Sequence, residues 1–90
     1  YMEQIALFNA VSRNNNFGVT IDGRACVVSV PNKEIARFKQ ENKLTYIPDA
    51  SAYCNEELIG KKIKFTGFVF EKSGENAVTY YSAQEWSWVK

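Results

Sequence analysis

The sequence predicts a β-rich α+β fold, with five to six antiparallel strands forming a small barrel or a curled sheet with one main helix at about residues 32–42. Three observations carry this expectation. Val and Ile number fourteen against three Leu, and thirteen aromatic residues join them, a balance that suits the half-buried surface of a sheet better than a helix. Apolar residues alternate with others along several short segments, which is the period of a strand. Between two such segments lies Asp22-Gly23, a dipeptide that readily adopts the positive φ needed at both central positions of a two-residue type I′ hairpin.

Taken in order, residues 4–13 set Ile5, Leu7, Asn9 and Val11 against Ala6, Phe8, Ala10 and Ser12, which predicts one strand, apolar on both sides at its start. Asn14-Asn15-Asn16 tolerates left-handed backbone and marks a turn. Phe17, Val19 and Ile21 form the apolar face of a second strand, and a third covers residues 24–30. A two-residue loop sets Ile21 opposite Arg24, Val19 opposite Cys26 and Phe17 opposite Val28, which makes Cys26 a core residue. Pro31 ends the strand, and Asn32 is the expected cap of the helix. Ile35, Ala36 and Phe38 cluster at helical spacing, while Lys33, Arg37, Lys39, Gln40 and Glu41 form a solvated outer face.

Residues 44–47 read as a short extended piece stopped by Pro48, and residues 48–55 fit either a helix or a strand. From Asn55 the chain suggests one helical turn, with Glu56 and Glu57 at its positive end and Gly60 as its stop. Residues 62–71 predict a long strand, Ser73-Gly74 a turn, residues 77–82 the returning arm, and residues 85–89 a last strand with Trp86 and Trp88 on one face. The order strand, strand, strand, helix, strand, strand is that of an OB-type barrel. Gly60-Lys61-Lys62-Ile63-Lys64-Phe65-Thr66-Gly67 resembles a strand start common in such barrels. An SH3-like barrel, or an open antiparallel sheet with the helix across it, is the alternative.

Ninety residues predict a single domain over residues 2–90, with Tyr1 read as a remnant ahead of a natural start at Met2. The 46% apolar and 23% charged content is that of a folded chain. Eleven basic against ten acidic residues leave a net charge of +1, which exerts no strong field on phosphate, anionic lipid or basic partners. No apolar run approaches the roughly 18–20 residues that span a bilayer, and no leader pattern opens the chain, so a cytoplasmic setting is expected. In that setting Cys26 and Cys54, outside any CxxC pattern, are expected to be reduced structural thiols.

The absence of histidine removes Ser-His-Asp and Cys-His nucleophile systems and most zinc and haem ligation. Asp22 and Asp49 have turn roles, and the adjacent Glu56 and Glu57 do not share one helix face as a paired acid and base would. The sequence therefore predicts no enzyme, no catalytic residue, no metal and no cofactor.

Binding is what remains. Trp86, Trp88, Tyr80 and Tyr81 crowd the last eleven residues, and together with Phe68 and Phe70 they form the candidate partner-binding set, because Trp and Tyr bury large area at little rotamer cost. One tryptophan is expected in the core and the other partly exposed. The polar loops at residues 14–16 and 72–76 frame such a patch, and take over its role if both rings are buried. In size, neutral charge and lack of catalytic groups the chain resembles the small inhibitors and adaptors encoded by phages and mobile elements, which implies a protein partner. The alternative expectation is an OB-like binder of single-stranded nucleic acid. Its Lys61, Lys62 and Lys64 would meet phosphates while Phe68 and Phe70, on the same strand face, stack on bases.

Overall fold

The computed structural model describes residues 2–90; Tyr1 lies outside them. The fold is α+β and β-rich, with one main helix and, among the described residues, nine strands in a single mixed sheet. Strand β1 (Glu3–Ser12) is the longest and pairs with β2 (Phe17–Ile21). Its inward face switches midway. Phe8 pairs with Val19 and Ala10 with Gly18, so Asn9 is an extra residue in a β-bulge. Ala6 and Phe8 point inward before the bulge and Val11 after it, where strict alternation had put Phe8 and Val11 on opposite faces. The Asn9 side-chain amide donates to Thr20 Oγ1 at 3.0 Å, which satisfies the displaced residue.

Strand β3 (Arg24–Ser29) returns from β2 in the expected register: Ile21 faces Arg24, Val19 faces Cys26 and Phe17 faces Val28. Asp22 at φ 51° and Gly23 at φ 77° make the turn. A Cβ at position 23 would meet nothing within 4 Å, so its cost is one of backbone conformation alone. Gly23→Val is expected to lower stability by more than about 1 kcal/mol; an unchanged urea midpoint would show that the hairpin does not depend on this conformation.

Helix α1 (Asn32–Glu41) begins one residue earlier than a cap at Asn32 would place it. Pro31, in extended conformation, occupies the cap position, and its carbonyl accepts from the N–H groups of Glu34 and Ile35. Asn32 is already helical and makes no capping bond. Ile35 and Phe38 enter the core as expected, but Ala36 is exposed and Glu34 is buried in its place.

The ambiguous stretch after the helix contains both structures. Strands β4 (Thr45–Ile47) and β5 (Ala52–Cys54) pair across a 3₁₀ turn at Pro48–Ala50, and β5 then pairs with the end of β1. Residues 55–60 form turns and not a helical turn, although Asn55 Oδ1 does accept the Glu57 N–H at 3.0 Å. The Gly60 N–H donates to the Phe8 carbonyl and the Phe8 N–H to the Lys61 carbonyl, stitching this loop to β1.

The single strand expected over residues 62–71 is two strands, β6 (Lys62–Thr66) and β7 (Val69–Ser73). Gly67 divides them at φ 66°, a position where a Cβ would run into the Gln84 side chain. The turn sends Phe68 inward beside Phe65, away from Lys62 and Lys64. Strand β8 (Thr79–Ser82) pairs antiparallel with β7 and parallel with β3, so the sheet is mixed and not wholly antiparallel as expected. Strand β9 (Glu85–Trp88) pairs with β6, which in turn pairs with β1. Only Ala83 and Gln84 separate β8 from β9, and their N–H groups bond Ser29 on β3 and Thr66 on β6. One run of chain thus serves both flanks of the sheet.

The core is largely aromatic. Phe8, Phe17, Phe38 and Phe65 are fully buried. A row of rings leads from the helix to the surface: Phe38 to Phe17 at 4.9 Å between centroids, Phe17 to Phe65 at 5.3 Å, Phe65 to Phe68 at 6.3 Å, Phe68 to Tyr81 at 4.4 Å and Tyr81 to Phe70 at 6.0 Å. Cys26 and Cys54 are unbridged, and burial pushes the Cys26 thiol above its ordinary pKa. Among the described residues no helix is long and apolar enough to cross a membrane.

Candidate functional site

The six aromatic residues singled out by sequence occupy three different places. Trp86 is 3% exposed and locked beneath the helix. Its indole N–H donates to the Glu34 carbonyl at 2.9 Å, and its backbone N–H to the Glu34 carboxylate at 3.1 Å. The Arg37 guanidinium lies 4.1 Å from the ring centroid, donates to the Trp86 carbonyl at 2.6 Å and pairs with Glu34 at 2.8 Å. Burial alone would raise the Glu34 carboxyl, but the Arg37 and Trp86 hydrogen bonds and the nearby positive charges outweigh it and hold it below the usual carboxylate range. The hydrogen bond to Glu34 raises the Arg37 guanidinium in turn. Trp88 is half-buried against Phe8 and Phe38, with the Lys61 ammonium 4.6 Å from its ring. Both indoles therefore close the core at the helix end.

Tyr81 and Phe68 belong to the ring row, and Phe70 ends it in solvent. Tyr80 points the other way, opposite Val27 on the outer face of the sheet, with Lys72 Nζ 5.2 Å from its ring. The lysines have different neighbours from those expected. Lys62 stands opposite Leu7 and Lys64 opposite Ile5, two exposed aliphatic residues, and Lys64 lies 3.7 Å from the Glu3 carboxylate. Alternation through residue 67 had put them beside Phe68 and Phe70; the turn at Gly67 separates the two sets.

Two features escaped the sequence. One is an open groove of about 620 Å³ on the outer face, lined among others by Asn14, Asn16, Gly18, Val27, Lys72 and Tyr80. The two polar loops were visible, but nothing local shows that β2, β3 and β8 lie side by side between them. The other is the exposed end of the ring row at β7, where Phe70 on one face and Val69 on the other are at least half exposed, as is Met2. Strand β7 is exposed along its whole length, and the Met2 carbonyl accepts from the Phe68 N–H at its start. The Gly67 signal could have found this end, because a left-handed turn there leaves Val69 and Phe70 outside the alternation of β6. No protein-family model, curated protein or solved structure matches this chain.

Proposed function

We propose that the chain is a non-catalytic interaction module on a small OB-like barrel, and that it docks on another protein through the exposed end of its aromatic row. The carrying observation is Phe70, 60% exposed where rings packed from the helix outward come to the surface. A large exposed apolar side chain seated on packed rings has the character of a hot-spot anchor. The barrel reading is supported by the pairing order β1, β2, β3, β8, by the continuation of β8 into β9 and back to β1 through β6, and by the helix between β3 and the next strand. Small inhibitors and adaptors of the phage type, working in a cytoplasm, are modules of this kind.

The test is capture from a cell lysate with wild-type protein and with Phe70→Glu, each with and without nuclease. Wild type is expected to retain a protein that Phe70→Glu loses, while the variant keeps its melting temperature within a few degrees because the ring is largely in solvent. Equal capture by both refutes the surface. The same OB-like order also favours a second reading, single-stranded nucleic acid bound near Lys61, Lys62 and Lys64. On that reading a labelled oligonucleotide binds at low salt, loses affinity steeply as salt is added and is not bound by Lys62→Glu with Lys64→Glu. No binding by wild type at low salt ends it.

A further inference from the structure

We infer that the groove across β2, β3 and β8 is a separate binding site, and that it takes an uncharged, hydroxyl-rich ligand: an oligosaccharide segment lying on Tyr80. The floor is the first reason. Gly18 lies there, and the nearest atom a Cβ would meet is the Ala10 carbonyl oxygen at 3.5 Å, an ordinary contact. The fold therefore has room for a side chain at this position, and a valine would suit a strand better than glycine does. What the glycine leaves is open space next to Val27, which separates it from Tyr80 across the groove floor.

The lining is the second reason. Among the described residues, the side chains of Asn14, Asn16, Ser29 and Tyr80 form no hydrogen bond with another residue, although all four border the groove. Each amide offers donors and an acceptor in one plane, a match for neighbouring hydroxyls that are themselves both donor and acceptor. The Tyr80 ring provides the flat apolar surface on which the C–H face of a sugar ring packs.

Charge decides against the other ligands. Lys72 and Glu71 are the charged residues that line the groove, one of each sign, and Glu71 accepts a hydrogen bond from Ser82 at 2.7 Å. Nucleic-acid affinity rests on neutralising phosphates, and an acidic or basic peptide would need a field of one sign. This groove supplies neither. Tyr81 borders the groove and also carries Phe70, so the two sites adjoin, but Phe70 itself does not line the groove.

The experiment is an amide chemical-shift titration of the whole chain with cellohexaose, maltohexaose and chitohexaose, and with oligothymidylate at low salt. At least one hexasaccharide is expected to shift Asn14, Asn16, Gly18 and Tyr80, with an affinity that added salt leaves unchanged. Gly18→Val should keep or raise the melting temperature and weaken that binding about tenfold or more, as should Tyr80→Ala, whereas Phe70→Glu should bind the sugar like wild type. Three outcomes overturn the inference: no shift with any of the three sugars, groove shifts produced only by oligothymidylate and abolished by salt, or undiminished sugar binding by a folded Gly18→Val.

Discussion

Phe38→Ala is expected to cost about 3–5 kcal/mol and to leave the protein largely unfolded under conditions where the wild type is native. Phe38 is fully buried, and its ring meets aromatic residues from both early and late strands. It lies 5.1 Å from Phe8, 4.9 Å from Phe17, 4.8 Å from Trp86 and 5.5 Å from Trp88, centroid to centroid. These residues come from β1, β2 and β9, so truncation opens a cavity that no single element can collapse to fill. Small domains have little stability in reserve, which turns a cavity of this size into loss of the fold. Urea midpoints and near-ultraviolet circular dichroism measure it. Phe38→Leu, which keeps most of the volume, should lose clearly less, about 1–2 kcal/mol. An Ala variant with a wild-type midpoint would mean that the helix does not pack as described.

Glu34→Ala is expected to cost about 2–3 kcal/mol, because it removes the anion that holds Arg37 and leaves the Trp86 backbone N–H without an acceptor in a buried place. The cost should depend on pH. The Glu34 carboxyl is held below its ordinary range in the folded state, so its contribution is fully present above the unfolded value of about 4.3 and is lost as pH falls through the folded value. Urea midpoints of wild type and Glu34→Gln, followed from neutral pH to about pH 2, should therefore converge as acid is added. Parallel curves would show that the carboxylate carries no such linkage.

Glu34 also shows where sequence reading stops. On the helix it falls among charged residues and reads as part of a solvated face, because the donors to its carboxylate and carbonyl come from Trp86, far along the chain. The β2–β3 hairpin was legible to the residue, since Asp22-Gly23 confines the turn and a period of two does the rest. The breaks were not. At Asn9 an extra residue reverses the inward face with no glycine or proline on β1 itself to announce it. At Gly67 the glycine was visible, but whether it bends the strand depends on Gln84 packing against it. The candidate binding residues failed to gather for the same reason: Trp86, Tyr80 and Phe70 are near in sequence, yet β9, β8 and β7 present them to the core, to the outer face and to solvent at the end of the ring row.

The run of chain that serves as both β8 and β9 has a consequence in time. On a ribosome β1, β2 and β3 can pair as soon as they emerge, because their contacts are local. The free edge of β3 then waits for Thr79 to reach Cys26, and β6 waits for Trp86 to reach Phe65. Pairings of such long sequence separation are slow, and domains dominated by them fold in about milliseconds to seconds. Until residues 79–88 are synthesised and free to swing into place, two strand edges stay open to wrong partners. Slow translation over this segment, or a fusion that restrains it, is therefore expected to lower the yield of soluble protein more than the same change placed after β3.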